Sequence, residues 1–343
     1  MAEDTWTAKR ILDWIEGYLA DRGDDNPRLA AQWLVGEALG LSRVELFMDL
    51  ERPLSEEERA VLRDYTRRRG AGEPLQYITG EAPFRHITVK VAPGVLIPRP
   101  ETEVLVSEAL ALLPAPPKAP TGEEAALAAR FGVLVAEQGR EAVEEALRES
   151  LSAEEVGALL PYLDGGAAAD RRLLAADICT GSGCIACSLA CEHPAVQVVA
   201  TDIAPQAAAL ARQNADALGL SERIEVLECD LGEAIEPSLM GAFDLVASNP
   251  PYVPTAVLAG LPREVGEFEP ALALDGGPDG LDVFRRLLEF CGRALKPGGA
   301  FAFELHETCL DAAAAEARAA GFRGVRIVCD LADKPRILTG RRA

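Results

Sequence analysis

Residues 248–254 read SNPPYVP and directly follow an apolar run, FDLVAS (243–248). Proline cannot donate to a sheet ladder, so a strand formed by that run must stop at Asn249. Two consecutive prolines fix φ at both positions and leave the Pro250 carbonyl with no ladder or helix to join. An aromatic ring, Tyr252, comes next. Read alone, the stretch serves as a stiff turn. It also serves as a rigid frame that holds two oxygen acceptors, the Asn249 side chain and the Pro250 carbonyl, beside a flat ring.

A second cluster of chemistry lies upstream, in DICTGSGCIA (177–186). Gly181 and Gly183 permit a sharp turn and a close backbone approach to a ligand, and the helix that follows opens with an electropositive end. Nineteen residues beyond Gly183, the next apolar run ends in Asp202, placed to accept hydrogen bonds from a ribose diol. Gly181, Gly183 and Ala186 satisfy G-x-G-x-x-A, so a nucleotide-like ligand is expected. Two compete: a nicotinamide dinucleotide and S-adenosylmethionine. The first calls for a second mononucleotide-binding half and a His or Tyr acid–base. The chain has only three histidines, His86, His193 and His306, none at a convincing strand end. With Asn-Pro-Pro-Tyr at the fourth strand end, the balance points to methyl transfer.

These residues need a sheet to hold them. From 173 onward LLAADIC, QVVATD, IEVLECD, FDLVASN and GAFAFEL alternate with amphipathic segments, and GVRIVCD and RILTGRR close the chain as an antiparallel pair. The pattern predicts a doubly wound, mostly parallel α/β sheet of seven strands, with its ligand outside the carboxyl ends of the strands. The first 75 residues read as a helical domain: Ile11, Ile15 and Leu19 share a face, Asn26-Pro27 suits a helix start, and Ser42/Glu45 and Ser55/Glu58 have capping-box spacing. Residues 76–98 read as a β-hairpin linker, because HITVKVAPGVLIP alternates apolar and polar residues. The remainder, 99–343, is the catalytic domain, interrupted at 114–170 by a proline-rich spacer and two helical segments. Ten acidic side chains against three arginines between 121 and 164 give that insert −7 of the chain's net −21.

The acidic balance disfavours a partner held through phosphates. Arg67, Arg68 and Arg69 form a local basic run, read as a solvated helix end that the dipole favours. The 343 residues contain no long uncharged apolar run, and the N-terminus lacks a signal-peptide layout, so a cytoplasmic location is expected. Eight cysteines fit reduced core positions in such a compartment. Cys179, Cys184, Cys187 and Cys191 have spacing that an iron–sulfur cluster could use, but the last three fall at i, i+3 and i+7 of a helix. They are read as small apolar residues packed on the sheet, with no metal expected.

The chain resembles the release factor glutamine methyltransferases, class I S-adenosylmethionine enzymes. The resemblance rests on EPLQYITG (73–80), LIPRPETE (96–103), DICTGSGCIA, ATD (200–202), SNPPY, FEPALALDGGPDGLD (268–282), LKPGG (295–299) and DLADKPRILTGR (330–341). NPPY alone is shared with adenine-amino methyltransferases of nucleic acids, while RPETE and FEPALAL are narrower. Cys179 stands where a glycine is common, His306 follows Glu304-Leu305 where a glycine is usual, and the insert has no counterpart in the pattern. The resemblance implies a Rossmann-like fold and methylation of the glutamine amide in the Gly-Gly-Gln tip of peptide chain release factors. A helical domain of this size ahead of the catalytic domain is expected to recognise the substrate. The cofactor set would be Cys179, Thr180, Gly181, Ser182, Gly183, Asp202, Leu231 and Asn249. The acceptor set would be Asn249, Pro250, Pro251 and Tyr252, with Asn249, Pro250 and Tyr252 catalytic and the ring face of Tyr252, not its hydroxyl, in use. Alternatives are glutamine methylation of a ribosomal protein, amino methylation of adenine in nucleic acid, and a silent nucleotide-binding module.

Overall fold

Alternation along the strands builds the sheet. Ala175, Val198, Leu245 and Ala300 face one hydrophobic cluster, and their neighbours Ala176, Val199, Val246 and Phe301 face another. Successive side chains of a strand point to opposite faces, so a sheet with two buried faces needs apolar residues at nearly every position. The computed structural model describes residues 6–115 and 172–343, with 126, 130–131, 133–135, 138–152, 155–156 and 159–160 of the stretch between.

The strands are β3 (Leu173–Ile178), β4 (Val196–Asp202), β5 (Ile224–Glu228), β6 (Phe243–Ser248), β7 (Leu295–Glu304), β8 (Arg323–Cys329) and β9 (Pro335–Arg341). They form one seven-stranded sheet in the order β5-β4-β3-β6-β7-β9-β8. β5, β4, β3, β6 and β7 run parallel, while β9 pairs antiparallel with both β7 and β8. The order reverses between β3 and β6, the switch point at which open α/β sheets leave a crevice at their carboxyl edge. Helices α6 (Pro100–Leu112), α8 (Cys184–Glu192) and α9 (Pro205–Ala217) contribute to the first cluster. Helices α11 (Asp282–Ala294) and α12 (Leu310–Ala319) contribute to the second. The Rossmann-like fold expected from the sequence is the one observed.

The N-terminal helices are α1 (Ala8–Ala20), α2 (Pro27–Leu39), α3 (Arg43–Met48), α4 (Glu56–Gly70) and α5 (Leu75–Thr79). Ile11, Ile15 and Leu19 are buried together. Both capping boxes form, Ser42 with Glu45 and Ser55 with Glu58. Asn26 makes no side-chain cap, although Pro27 does begin α2.

The hairpin is shorter than the alternation suggests: β1 (Glu81–Phe84) and β2 (Ile87–Lys90) pair around Arg85-His86, and residues beyond Lys90 leave it. Asn214 of α9 bonds both the Lys90 N–H and its carbonyl, and its Nδ2 also donates to the Ser182 carbonyl. Residues 91–98 therefore cross above the glycine loop. In the insert, α7 (Arg140–Ser150) contributes Val143 and Leu147 to a small cluster with Phe131, Val135, Leu159 and Leu160. The other described residues of 114–170 belong to no further named element, and the remainder of the segment lies outside the described residues. None of the described helices is long and apolar enough to cross a membrane.

Candidate active site

The loop after β3 is built on three positive φ values, Cys179 at 61°, Gly181 at 57° and Gly183 at 79°. Glycine adopts that region freely, whereas a residue with a Cβ pays roughly 1–2 kcal/mol there. Cys179 is such a residue and lines the cleft. Under the loop, Asp177 is fully buried, and its Oδ2 accepts from the Thr180 hydroxyl at 2.5 Å and the Ala186 N–H at 3.0 Å. Burial pushes its carboxyl up to about 7. At the end of β4, Asp202 accepts from the Gly181 N–H and the Ala204 N–H, both at 2.9 Å, and burial raises its pKa too.

The loop and Asp202 wall a cleft of about 850 Å³, part of it open to solvent. Cys179, Thr180, Gly181, Ser182, Asp202, Asn249 and Pro251 line it, and residues 94–99 close its far side. Gly183 does not line it. A Cβ there would come within 3.1 Å of Ala211, so this glycine serves close packing of α8 against α9. Leu231, at φ 47°, lies instead in a neighbouring hollow with Asp230, Arg286 and Phe290.

A second cleft adjoins the first. Tyr252, Val253, Val257, Leu261, Val265 and His306 line it, and Leu96, Arg99, Asn249 and Ala273 border both. Asn249 thus stands in the shared wall. Its Nδ2 donates to the Thr102 hydroxyl at 3.0 Å, which donates to Glu304 Oε2 at 2.6 Å; the Tyr252 hydroxyl donates to Glu304 Oε1 at 2.8 Å. Glu304 is buried, and that burial raises its pKa. No hydrogen bond among the described residues ends on Asn249 Oδ1 or on the Pro250 carbonyl. The hydroxyl of Tyr252 is engaged, contrary to the expectation that only its ring matters. Pro250 is buried and lines neither cleft.

Thr102, Glu304, Arg99 and Glu269 were not singled out from the sequence. Arg99 pairs with the nearly buried Glu269, whose Oε1 also accepts from the Ile97 N–H, so RPETE is tied to FEPALAL. The glycines that follow support the acceptor turn: a Cβ at Gly276 would lie 2.7 Å from Tyr252 Cα, and one at Gly280 would lie 2.5 Å from the Tyr252 carbonyl.

Two surface readings need correction. Arg69 is not solvated; it is 8% exposed and pairs with Asp24 and Glu264, each at 2.6 Å, because α4 packs its last turn against the 263–266 segment. Arg67 and Arg68 pair with Asp64 and Glu73. Cys184 and Cys187 are buried as expected, but Cys191 is exposed, since the last turn of α8 extends past the sheet.

The first cleft fits S-adenosylmethionine on two observations. Ser182 Oγ, buried and lining it, has no hydrogen-bond partner, and neither does Asp177 Oδ1 beneath the loop. A ligand with a polar amino-acid end would meet Ser182 Oγ, while Asp177, wholly buried, stays beneath the loop. Asp202 keeps lone pairs free for hydroxyls, because each of its oxygens accepts only one backbone bond.

Comparisons with known proteins identify the family. Residues 10–80 match the PrmC N-terminal domain family and residues 158–259 the methyltransferase small domain family. Release factor glutamine methyltransferases are similar to this chain throughout. That of Geobacter sulfurreducens is 38% identical over 302 residues, 88% of this chain and 85% of the relative. That of Chlorobaculum tepidum is 36% identical over 305 residues, 89% and 87%. That of Rhodopirellula baltica is 32% identical over 339 residues, 98% and 97%. With such identity sustained along nearly the whole length, this chain belongs to the release factor glutamine methyltransferase family.

Proposed function

We propose that this protein, in the cytoplasm, transfers a methyl group from S-adenosylmethionine to the side-chain amide nitrogen of the glutamine in the Gly-Gly-Gln tip of peptide chain release factors. One observation carries the reading. Asn249 stands in the wall common to two clefts, with its Nδ2 tied to Thr102 and its Oδ1 unpartnered.

An amide nitrogen is a poor nucleophile because its lone pair is delocalised into the carbonyl. The chain's task is to hold that nitrogen and aim it. Asn249 Oδ1, in the shared wall, accepts one N–H of the glutamine, and the Pro250 carbonyl, unpartnered among the described residues although its residue lines neither cleft, accepts the other; the remaining lobe then faces the first cleft. Pro251 keeps the two acceptors at a fixed spacing, and Tyr252 walls the acceptor cleft beside them. When bound, S-adenosylmethionine supplies a methyl group on a sulfonium, which departs as a neutral thioether. Asp202 holds its ribose; Cys179, Thr180, Gly181 and Ser182 line its amino-acid end. Orientation and fixed dipoles provide the rate, and the surplus proton leaves to water, so no histidine is required. The hydroxyl of Tyr252 is committed to Glu304, and burial holds its pKa well above the ordinary value, so it does not act as the base.

The test is methyl transfer from tritiated S-adenosylmethionine to a purified release factor, with the product mapped by peptide mass. Asn249→Ala removes the acceptor oxygen from a strand end where little packing is lost. It is expected to lower single-turnover transfer by about 10²–10³-fold, as removal of a preorganised polar group does, while thermal unfolding barely moves. Near-normal transfer by Asn249→Ala would falsify the assignment.

A further inference from the structure

Glu304 touches neither the acceptor nor the cofactor in the reading above, yet it is a carboxylate buried to 1% exposure at the end of β7. Burial disfavours the charged form, but two hydroxyls, of Thr102 and Tyr252, each sit within hydrogen-bond distance of one of its oxygens and stabilise the carboxylate, which only accepts hydrogen bonds. The single proton of the Thr102 hydroxyl must therefore be directed to Glu304 Oε2, 2.6 Å away. With its proton committed, Thr102 Oγ1 can only accept, and the group facing it at 3.0 Å must be a donor. That forces Asn249 to turn its NH₂ to Thr102 and its carbonyl oxygen to the opposite side. An asparagine amide inverted by 180° occupies the same space, so packing alone does not choose between the two orientations. In the inverted one, NH₂ would confront the NH₂ of the incoming glutamine and reject it. The second oxygen of Glu304 accepts from the Tyr252 hydroxyl, at the other end of the same tetrapeptide.

We propose that Glu304 is a positioning residue for methyl transfer: through the Thr102 hydroxyl it selects the orientation of the Asn249 amide that can receive a glutamine, and through the Tyr252 hydroxyl it fixes the far end of the frame. The inference rests on the reading that Asn249 Oδ1 holds the acceptor. Its chemistry has a specific consequence. A glutamine at 304 has one accepting end and one donating end. When its NH₂ faces Thr102, the hydroxyl turns its proton to Asn249 and the amide inverts. When its oxygen faces Thr102, the Tyr252 hydroxyl must instead accept.

Four variants separate the possibilities: Thr102→Val, Thr102→Ser, Glu304→Gln and Asn249→Ala. Each is assayed for single-turnover transfer to a release factor at saturating concentrations, for S-adenosylmethionine affinity by calorimetry, and for thermal unfolding. Thr102→Val keeps the shape and removes the relay, and is expected to lower the rate by about tenfold or more, since it acts on one preorganised group. Cofactor affinity should stay within about twofold. Thr102→Ser restores the hydroxyl and should recover most of the rate lost in Thr102→Val. Glu304→Gln should fall between Thr102→Val and the wild type in rate, again with cofactor affinity retained. A Thr102→Val enzyme that transfers at the wild-type rate while Asn249→Ala is inactive overturns the role of Glu304 and leaves the assignment of Asn249 standing. An active Asn249→Ala overturns both. Loss of rate in Thr102→Ser equal to that in Thr102→Val also overturns the relay, because a shape effect would then account for both.

Discussion

Tyr252 and Asp177 show how burial decides what a polar side chain can do. The Tyr252 hydroxyl donates to Glu304, a bond to a charged and buried partner worth typically about 1.5–3 kcal/mol. Tyr252→Phe is therefore expected to cost about that much stability in urea unfolding and to lower transfer, where an engaged ring face alone would predict a mild effect. Wild-type stability in the variant would show that the bond contributes nothing. Asp177 titrates in a different sense. Burial lifts its carboxyl to about 7, above its ordinary 3.8, so the folded protein retains a proton that the unfolded chain has released. Its contribution to stability is greatest below pH 4 and is lost as pH rises towards 7, at up to roughly 1 kcal/mol per pH unit. Asp177→Asn removes this slope, so the stability difference between the variant and the wild type should drift steadily from pH 5.5 to 7 and level off above pH 8. A constant difference would place the Asp177 carboxyl at its ordinary pKa. The sequence makes Asn249 legible because proline chemistry marks it locally. It hides Thr102 and Glu304, which lie 147 residues before and 55 residues after Asn249 and meet it only because β6 pairs with β7 while the N-terminal end of α6 approaches both.

Among the elements, the glycine-rich turn at 275–280 acts as the seat of the acceptor turn. Val253 pairs with Asp275 in a parallel bridge: the Val253 N–H donates to the Leu274 carbonyl and the Gly276 N–H donates to the Val253 carbonyl. The seat tolerates no side chain at Gly276, whose Cβ would meet the Tyr252 backbone at 2.7 and 2.8 Å. Backbone cannot step aside as a flexible side chain can. Gly276→Ala is therefore expected to cost about 1–3 kcal/mol through overpacking and to cut transfer more than it cuts S-adenosylmethionine affinity, because the displaced turn belongs to the acceptor cleft. Equal losses in both would show that the whole crevice depends on this seat. The alternation of strands and helices was legible here because a doubly covered sheet demands apolar runs. The early end of β2 was not. Val91 continues the alternating pattern, but its buried side chain joins the first core cluster, and the chain turns away to be held over the cleft by the Tyr77 hydroxyl at the Val95 carbonyl. The same limit applies to Arg69: a run of three arginines reads as solvated until a segment nearly two hundred residues away supplies Glu264.

At the scale of the whole molecule, the arrangement of the insert follows from where its ends are pinned. The chain departs after α6, with the Pro114 carbonyl bonded to His193 Nε2 at 2.9 Å, and it returns at Leu173, whose N–H donates to the Ala195 carbonyl at 2.8 Å. Departure and return thus meet the same three-residue turn between α8 and β4, so a few residues can join them. The described hydrophobic cluster of the insert contains only residues of the insert itself, Phe131 and Val143 buried at its centre. Among the described residues, no buried residue of the two sheet clusters comes from 114–170, and none of the insert lines either cleft of the site. We therefore propose that the described part of 114–170 packs on itself and not on the catalytic domain. Because the entropy of closing a loop grows only slowly with its length, about 0.6 kcal/mol per doubling, shortening it should alter stability little. Replacing residues 116–170 by a short Gly-Ser linker is expected to preserve a single cooperative unfolding transition and measurable methylation of a release factor, with the net charge less negative. Broad, non-cooperative unfolding of that deletion variant would mean that the insert completes the core and that its packing on itself is only part of its role.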